Sequence, residues 1–256
     1  MSTTGTSDRA SSRTGSVVVR REGALWWVGL NRPERRNAHD EAMVAEFDGI
    51  LSEAARTPSI LLVHSTTPGM FAAGADIREM LDRNSDYALR SINARLFERL
   101  ESHRWPTIAL IDGPALGGGC EMAMACDFRI ASERAVFAQP ELSLGILAGA
   151  GGNWRLAQLV GLATARRMLY TGARLDAASA LAAGLVDEIA ENPAERGAEL
   201  AGVIAERSWR ALELTKAALR AHRPATTGFD TTAQALLFDS ADKRERMTAF
   251  LERRKR

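Results

Sequence analysis

The most informative segment of this 256-residue chain is Thr107-Ile-Ala-Leu-Ile-Asp-Gly-Pro-Ala-Leu-Gly-Gly-Gly-Cys-Glu-Met-Ala-Met-Ala-Cys126. Its first five residues are apolar or β-branched, which predicts a buried strand at 107–111. Three consecutive glycines follow, and such a run costs backbone entropy unless a close approach or a positive φ angle requires it. The residues from about Gly119 to Cys126 favour a helix. We therefore predict a strand, a tight turn and a helix.

The same order of strand, loop and helix recurs along most of the chain. Asp40 is a suitable N-cap for a helix toward Ala55, because a short acidic side chain accepts hydrogen bonds from the first free N–H groups. Strands that alternate with helices of these lengths predict an α/β fold with mainly right-handed crossovers. The other predicted elements are strands Val17 to Arg20, Ala24 to Leu30, Ile60 to His64 and Phe128 to Ala131, and helices through Met80 and from Trp154 to Leu159.

The chain divides into three predicted regions. Residues 1–16 are rich in Ser, Thr and Gly and are expected to form a disordered tail. Residues 17–192 carry the α/β pattern, and residues 193–256 are expected to be helical. The helices predicted for this last region are Ala194 to Glu206, Ser208 to Ala221 and Thr231 to Arg254, with Arg223-Pro224 as a break.

Composition and charge disfavour several classes of function. The 33 Lys and Arg residues balance 32 Asp and Glu residues, so no global excess of positive charge favours nucleic acid. The basic end Arg253-Arg254-Lys255-Arg256 is more commonly a solvated helix C-terminus than an RNA-binding patch. No apolar run approaches the ~18 to 20 residues that a membrane span needs. Cys120 and Cys126 lack metal or disulfide spacing and no signal segment precedes the strands, so we expect a cytoplasmic protein.

Two glycine-bearing motifs are candidates for binding an anion. Phe71-Ala-Ala-Gly-Ala-Asp76 lies between a predicted strand and a predicted helix, where backbone N–H groups can point at a ligand. Taken alone, a tight structural turn is the commoner explanation of this motif. Gly113 to Glu121 lacks the Gly-Lys-Ser/Thr of a phosphate loop and the glycine spacing of a dinucleotide site, which disfavours a nucleotide cofactor.

Glu121 and Glu141 are the candidate acid and base. Glu141 ends Gln139-Pro-Glu141 and precedes Gly145 and the segment Gly149-Ala-Gly-Gly152. Two carboxylates beside glycine-rich backbone suit a reaction in which one group takes a proton from water while the other returns one. The alternatives are a solvated carboxylate at a helix start for Glu121 and a surface loop acid for Glu141. Spacing alone leaves these alternatives open.

Other common catalytic patterns are missing from the sequence. It has neither a Gly-x-Ser-x-Gly elbow nor a His-Glu-x-x-His helix, which disfavours serine hydrolases and zinc proteases. The histidines lack the spacing of metal ligands, so no metal site is expected and no catalytic role is assigned to them. They are His39, His64, His103 and His222.

Taken in order, six segments resemble the enoyl-CoA hydratase/isomerase, or crotonase, family. Their order and intervals match that family over nearly the whole chain, and Met247 to Lys255 resembles its C-terminal helix. The resemblance implies an α/β, crotonase-like spiral of repeated ββα units with a C-terminal helical trimerisation region, in trimers that often pair into hexamers. The segments are Leu30-Asn-Arg-Pro33, Phe71 to Asp76, Gly113 to Glu121, Cys126-Asp127, Gln139 to Glu141 and Gly149 to Gly152.

The resemblance also implies a site for an acyl-CoA thioester. The backbone N–H groups of Ala75 and Gly118 would form an oxyanion hole. Glu141 would deliver the α proton, and Glu121 would orient the water and act as its base. The other residues that match substrate or coenzyme A segments are Glu34, Arg35, Arg36, Ala73, Asp76, Ile77, Arg78 and Gly149, together with Phe250 and Arg253, whose counterparts in some relatives reach a neighbouring subunit's ligand.

The presence of both glutamates favours hydration of a trans-2-enoyl-CoA to a 3-hydroxyacyl-CoA, in fatty acid or related metabolism, with no metal and no redox cofactor. Double-bond isomerisation or dehydration of a hydroxyacyl-CoA stays open on the same scaffold. A non-catalytic acyl-CoA or RNA-binding protein is a further alternative. The chain departs from common hydratases at positions expected to alter the acyl pocket or the phosphate contacts, namely Glu34, Asp112, Ala148, Asn153 and Trp154.

Overall fold

The structure is a computed structural model that describes residues 15–221 and 227–253. Residues 1–14 of the predicted tail, the predicted Arg223-Pro224 break and the basic residues 254–256 lie outside the described residues. Asn31 donates hydrogen bonds from its side chain to the Gly15 carbonyl oxygen at 3.0 Å and from its backbone to the Ser16 carbonyl oxygen at 2.8 Å. These bonds fix the start of the first strand.

The strands form two sheets. They are β1 (Val17–Glu22), β2 (Leu25–Leu30), β3 (Ile60–Ser65), β4 (Thr107–Ile111), β5 (Pro114–Leu116), β6 (Phe128–Ala131), β7 (Val136–Ala138), β8 (Leu175–Asp176) and β9 (Glu188–Ile189). The larger sheet has the order β1-β2-β3-β4-β6-β9, with β1 antiparallel to β2 and the other pairs parallel. The smaller sheet has the order β5-β7-β8. Consecutive strands β4 and β5 belong to different sheets, as do β6 and β7, and a helix or helical turn follows each pair. This repeated order confirms the predicted α/β fold.

Helices connect the strands and form the C-terminal region. They are α1 (Glu41–Ala54), α2 (Ile77–Leu81), α3 (Ser85–Arg90), α4 (Ile92–Glu101), α5 (Gly118–Met124), α6 (Gly152–Thr171), α7 (Ala177–Ala182), α8 (Pro193–Ala205), α9 (Trp209–Ala221), α10 (Thr227–Phe238) and α11 (Ala241–Arg253). The predicted N-cap of α1 is confirmed, because an Asp40 carboxylate oxygen accepts from the Met43 N–H at 2.8 Å. Helix α6 is longer than predicted and bends at Gly161, whose φ is 72°.

The prediction of one helix from Thr231 to Arg254 is wrong, because α10 and α11 are separate helices. Asp239 and Ser240 lie between them. The Ser240 hydroxyl accepts from the Lys243 N–H at 3.1 Å, and an Asp239 carboxylate oxygen accepts from the Ser85 N–H at 2.7 Å. A contact between segments more than 150 residues apart therefore helps to fix the break, and local spacing contains no sign of that contact.

The larger sheet is covered on both faces. Leu61 and Val63 of β3 pack into the main core cluster, which includes residues of α1, α4, α5 and α6. Ile60 and Leu62 of the same strand point to the opposite face, where Ala201 of α8 packs. Neighbouring strand residues alternate between faces, so a strand that is buried on both faces must be apolar throughout. Each such side chain contributes about 1.5–3 kcal/mol of burial free energy.

Gly113 joins β4 to β5 at the corner where the chain changes sheets. A Cβ atom placed there would lie 2.2 Å from the carbonyl oxygen of Gly69. That oxygen belongs to the backbone and cannot move without its segment. The corner therefore requires glycine for close approach.

We expect Gly113→Ala to lower the free energy of unfolding by about 1–3 kcal/mol, the usual cost of overpacking. Gly49→Ala is the matched control: Gly49 lies within α1, and an added Cβ would have nothing within 4 Å. Alanine there should be neutral or stabilising by about 0.5–1 kcal/mol. Urea unfolding followed by circular dichroism measures both, and equal stabilities of the two variants would contradict the close approach at Gly113.

Candidate active site

Two backbone N–H groups meet at the glycine turns. Ala75 forms a bridge pair with His39, whose N–H donates to the Gly74 oxygen at 2.7 Å and whose oxygen accepts from the Asp76 N–H at 3.1 Å. Because these bonds use the groups on either side of Ala75, its own N–H points away from the His39 backbone. Gly118 begins α5, where the first N–H groups of a helix have no partner inside it.

These two N–H groups face the same space. A Cβ atom placed on Gly118 would lie 3.4 Å from the nitrogen of Ala75, and one placed on Gly74 would lie 2.9 Å from the nitrogen of Gly118. Within residues 15–221 and 227–253, neither N–H group donates to a protein acceptor. Two free donors in fixed positions can bind an oxygen atom that gains negative charge. This is the geometry that an oxyanion hole requires.

Glu121 lies in the first turn of α5 and has only 3% of its surface exposed. Its Oε1 atom accepts hydrogen bonds from the backbone N–H groups of Ala150 and Gly152, both at 2.8 Å. A Cβ atom at Gly152 would lie 3.0 Å from the same oxygen. The alternative of a solvated carboxylate at a helix start is therefore wrong. The glycine-rich segment 149–152 holds this carboxylate inside the protein.

Glu141 begins a short 3-10 turn, Glu141–Leu144, and is also buried. The alternative of a surface loop acid is therefore wrong as well. With its side-chain amide oriented for hydrogen bonding, Gln139 donates to both carboxylate oxygens of Glu141, at 3.0 and 3.1 Å. A Cβ atom at Gly117 would lie 2.7 Å from Glu141 Oε1, so the glycine turn leaves the room that this carboxyl group needs.

The two glutamates line one pocket and differ in their environments. Burial raises the pKa of Glu141 well above its ordinary value of 4.5, and the negative charge of Glu121 raises that pKa further. A carboxyl group with a raised pKa keeps its proton at higher pH. Glu141 is therefore the candidate proton donor, and Glu121, fixed by two N–H groups, is the candidate proton acceptor.

The structure brings eight of the fourteen predicted site residues to this pocket and leaves six outside its lining. Residues 34–36 lie beside it, because the Arg36 oxygen accepts from the Ala73 N–H at 3.0 Å. Phe250 packs against the apolar cluster around Met80 in its own chain, and Arg253 is exposed. The lining residues are Ala73, Ala75, Asp76, Ile77, Gly118, Glu121, Glu141 and Gly149, and those outside are Glu34, Arg35, Arg36, Arg78, Phe250 and Arg253.

The apolar part of the pocket is covered by C-terminal helices of the same chain. Helix α10 packs on α3, and α11 packs on α2. Gln234 of α10 reaches the glycine-rich segment, where its Oε1 atom accepts from the Leu147 N–H at 3.2 Å. Phe238 stacks on Tyr87 with ring centroids 6.3 Å apart. The apolar lining residues include Met80, Ala88, Leu144, Ile146 and Phe238.

The pocket lining also contains residues that the sequence did not point to, among them His39, Tyr87, Asn93, Gln234 and Phe238. His39 was not predicted, because its spacing from the other histidines and from the acidic residues matches no metal-binding or acid–base motif. Gln234 lies 87 residues from its partner Leu147, so no local signal connects the two. These residues enter the site through tertiary packing.

Asn153 and Trp154 do not line the pocket that holds both glutamates, but Asn153 lines a smaller cavity that also borders Glu141. The Asn153 side chain donates to the Ala148 oxygen at 3.2 Å. The Trp154 ring packs against the guanidinium of Arg155, 4.3 Å from the ring centroid. Both side chains therefore support the start of α6.

Among the described residues, no group of three or more His, Cys, Asp or Glu side chains is placed to hold a metal ion. Over the same part of the chain, no helix has the length and apolar character that a membrane crossing requires.

Comparison with known proteins identifies the family. A family model described as enoyl-CoA hydratase/isomerase matches residues 20–256. The chain is 37% identical to the short-chain-enoyl-CoA hydratase of Clostridium acetobutylicum, over 94% of this chain and 96% of that protein. It is 36% identical to the crotonyl-CoA hydratase of Syntrophomonas wolfei, over the same shares of the two chains.

Solved structures agree with these sequence matches. The crystal structure of an enoyl-CoA hydratase from Bacillus anthracis superposes with a TM-score of 0.78 at 31% identity, covering 93% of this chain and 96% of the other. The enoyl-CoA hydratase of Thermoplasma volcanium gives a TM-score of 0.77 at 30% identity, covering 94% and 97%. The protein therefore belongs to the enoyl-CoA hydratase/isomerase, or crotonase, family.

Proposed function

We propose that this protein is an enoyl-CoA hydratase, which adds water reversibly and in syn fashion to a trans-2-enoyl-CoA and gives a 3-hydroxyacyl-CoA. One arrangement carries the proposal. Two buried carboxyl groups, of Glu121 and Glu141, line the same pocket as two free backbone N–H groups, of Ala75 and Gly118. A thioester bound to the N–H groups would present its double bond to the carboxyl groups.

The two N–H groups stabilise the charge that develops in the reaction. When water attacks C3, the electron pair of the C2=C3 bond moves toward the thioester carbonyl, and its oxygen becomes an enolate oxyanion. The N–H groups of Ala75 and Gly118 are fixed by the backbone before the reaction begins, so little reorganisation is needed. Removing one donor from comparable sites costs about 3–4 kcal/mol.

The two carboxyl groups move the protons. Glu121, held at Oε1 by two N–H groups, orients the water and takes its proton as the oxygen bonds to C3. Glu141, whose pKa is raised by burial, gives its proton to C2. Water is added without net oxidation or reduction, so the proposed reaction requires no redox cofactor. The backbone N–H groups of Ala75 and Gly118 would supply the charge stabilisation that a metal ion supplies in other enzymes.

Two observations support hydration of a short acyl chain. The two relatives described above carry hydratase names, one short-chain and one crotonyl. The apolar end of the pocket, bounded by Met80, Leu144 and Phe238, suits a small hydrocarbon chain. Isomerase members of the family usually keep only the second acid, whereas here both glutamates are buried in the pocket.

Coenzyme A binding and assembly are parts of the same proposal. Exposed Arg35, Arg36 and Arg78 lie on segments next to the pocket, where guanidinium groups suit the coenzyme A phosphates. The family resemblance supports a homotrimer or a dimer of trimers, with residues 193–256 as the oligomerisation region. We also propose a cytoplasmic enzyme, because the free, buried Cys120 and Cys126 suit a reducing compartment.

We expect Glu121→Gln and Glu141→Gln each to lower kcat for hydration of crotonyl-CoA by at least about 100-fold, because each removes one proton-transfer group. Loss of absorbance from the conjugated thioester measures the rate, and mass spectrometry identifies the product. Glu133→Gln, which changes an exposed acid outside the pocket, should match the wild type. Full turnover in both pocket variants, or a product with a shifted double bond, would rule out the proposed reaction.

Glu141 should make the folded protein less stable as the pH rises. Its folded-state pKa lies above the ordinary value of 4.5, so the folded state binds more protons between those two values. Stability therefore falls as the pH rises through this window, and the loss is complete above the folded-state pKa.

We expect Glu141→Gln to remove this loss, so that its stability advantage over the wild type grows with pH. Urea unfolding from about pH 5 to about pH 8 measures the difference, with Glu133→Gln as the control. A difference that does not change with pH would show that the Glu141 pKa is not raised.

We expect light scattering to give three or six times the chain mass of 27.8 kDa. The proposed trimer or dimer of trimers requires one of these masses. A particle with the mass of one chain at micromolar concentration would contradict the proposed assembly.

A further inference from the structure

His39 is a buried side chain that the proposed mechanism does not use. Only 4% of its surface is exposed, and within residues 15–221 and 227–253 neither ring nitrogen has a hydrogen-bond partner. Leaving a buried polar group unpaired costs about 1–3 kcal/mol. Such groups are uncommon in folded proteins, so each one calls for an explanation. A ligand that pairs with the ring would supply one.

The ring lies beside the two free backbone donors. A Cβ atom placed on Gly118 would lie 3.5 Å from Nδ1 of His39 and 3.4 Å from the nitrogen of Ala75. His39 also lines the pocket. Its ring meets the ring of Phe97 edge to face, with centroids 5.7 Å apart, which restricts its orientation. Nδ1 and the two N–H groups therefore border the same small space.

His39 is neutral at physiological pH. Burial, with a smaller contribution from the positive charge of Arg32, lowers its pKa from 6.5 to about 4, while the Asp40 carboxylate acts in the opposite direction. A neutral imidazole carries one N–H donor and one acceptor nitrogen. With the proton on Nδ1, the ring can donate a hydrogen bond and polarise a carbonyl group without transferring the proton.

We propose that His39 is a third hydrogen-bond donor to the thioester oxygen of the bound acyl-CoA. Its Nδ1–H group joins the N–H groups of Ala75 and Gly118 around that oxygen and stabilises the enolate with them. His39 keeps its proton throughout the reaction. This inference rests on the proposed function for the identity of the ligand, a coenzyme A thioester. It explains why Nδ1 has no partner among the described residues of the free protein.

Two substitutions of His39 distinguish the effect of its hydrogen-bond donor from the effect of its packing. His39→Leu removes both ring nitrogens and keeps an apolar side chain of moderate size, so the free protein should be as stable as the wild type or more stable. His39→Gln retains an N–H donor but places it one bond farther from the backbone than Nδ1, so the donor is kept and displaced. His64→Gln is the matched control, because His64 lies outside the pocket and its Nδ1 contacts the Ser65 oxygen.

The first readout is the infrared C=O stretch of butanoyl-CoA labelled with 13C at the thioester carbonyl. This saturated thioester cannot be hydrated, so it reports the polarisation of the bound carbonyl alone. We expect binding to the wild type and to His64→Gln to lower the frequency by the same amount. The lowering should be smaller in His39→Leu and intermediate in His39→Gln. A purely structural role of His39 would leave this frequency unchanged.

The second readout is the hydration of crotonyl-CoA. Loss of one oxyanion donor should lower kcat by about 10- to 100-fold in His39→Leu, since two backbone donors remain. KM should change much less, because the contact strengthens as the enolate forms. His39→Gln should recover part of the loss.

A wild-type infrared shift in both His39 variants would overturn the proposal. If His39→Leu does not fold, His39→Met, which also lacks an N–H donor, decides in its place: a shift equal to the wild type overturns the proposal and a smaller one supports it. The outcome is distinguishable from a failure of the proposed function. If Glu121→Gln and Glu141→Gln kept full turnover while the His39 variants lost the infrared shift, the hydratase mechanism would fail and the His39 contact would stand.

Discussion

Two backbone segments, 69–75 and 113–119, pass so close to each other that side chains cannot fit between them. A Cβ atom at Gly119 would lie 2.2 Å from the carbonyl oxygen of Ala72. That oxygen accepts from the Leu116 N–H at 3.0 Å, so the two backbones are hydrogen-bonded where they meet. A side chain at this contact would push the segments apart. It would also separate the two free N–H groups that face the pocket, so packing and chemistry impose the same requirement for glycine.

The same passage determines where the carboxyl groups lie. Helix α5 starts at Gly118 and carries Glu121 into the protein within its first turn, while Gly117 leaves space for Glu141. The burial that results has an energetic cost, because it disfavours the charged form of a carboxyl group. The same effect raises the pKa of Glu141 and so supplies a proton donor. Instability and reactivity at this site therefore have one physical cause, the removal of a carboxyl group from water.

The local sequence pattern was sufficient to predict most of the strands and helices and the positions of the glycine turns. Strand β4 has the bounds that its apolar and β-branched run predicted, Thr107–Ile111, because such runs and glycines express local preferences of the backbone. The local pattern failed to predict features that depend on a contact with a residue far away in the sequence. The break between α10 and α11 is held by Asp239 and Ser85. His39 could not be predicted either. Its importance comes from buried ring nitrogens that lack a hydrogen-bond partner among the described residues, and residue spacing in the sequence does not reveal burial or hydrogen bonding.

In the proposed mechanism, two carboxyl groups on one side of a bound enoyl thioester add the two elements of water to the same face. Hydration of crotonyl-CoA in deuterated water, with the product analysed by NMR, reports that face. We expect 3-hydroxybutanoyl-CoA with one deuterium at C2, on the same face as the new hydroxyl group. Deuterium on the opposite face or on both faces, or a shifted double bond without a hydroxyl group, would rule out the mechanism.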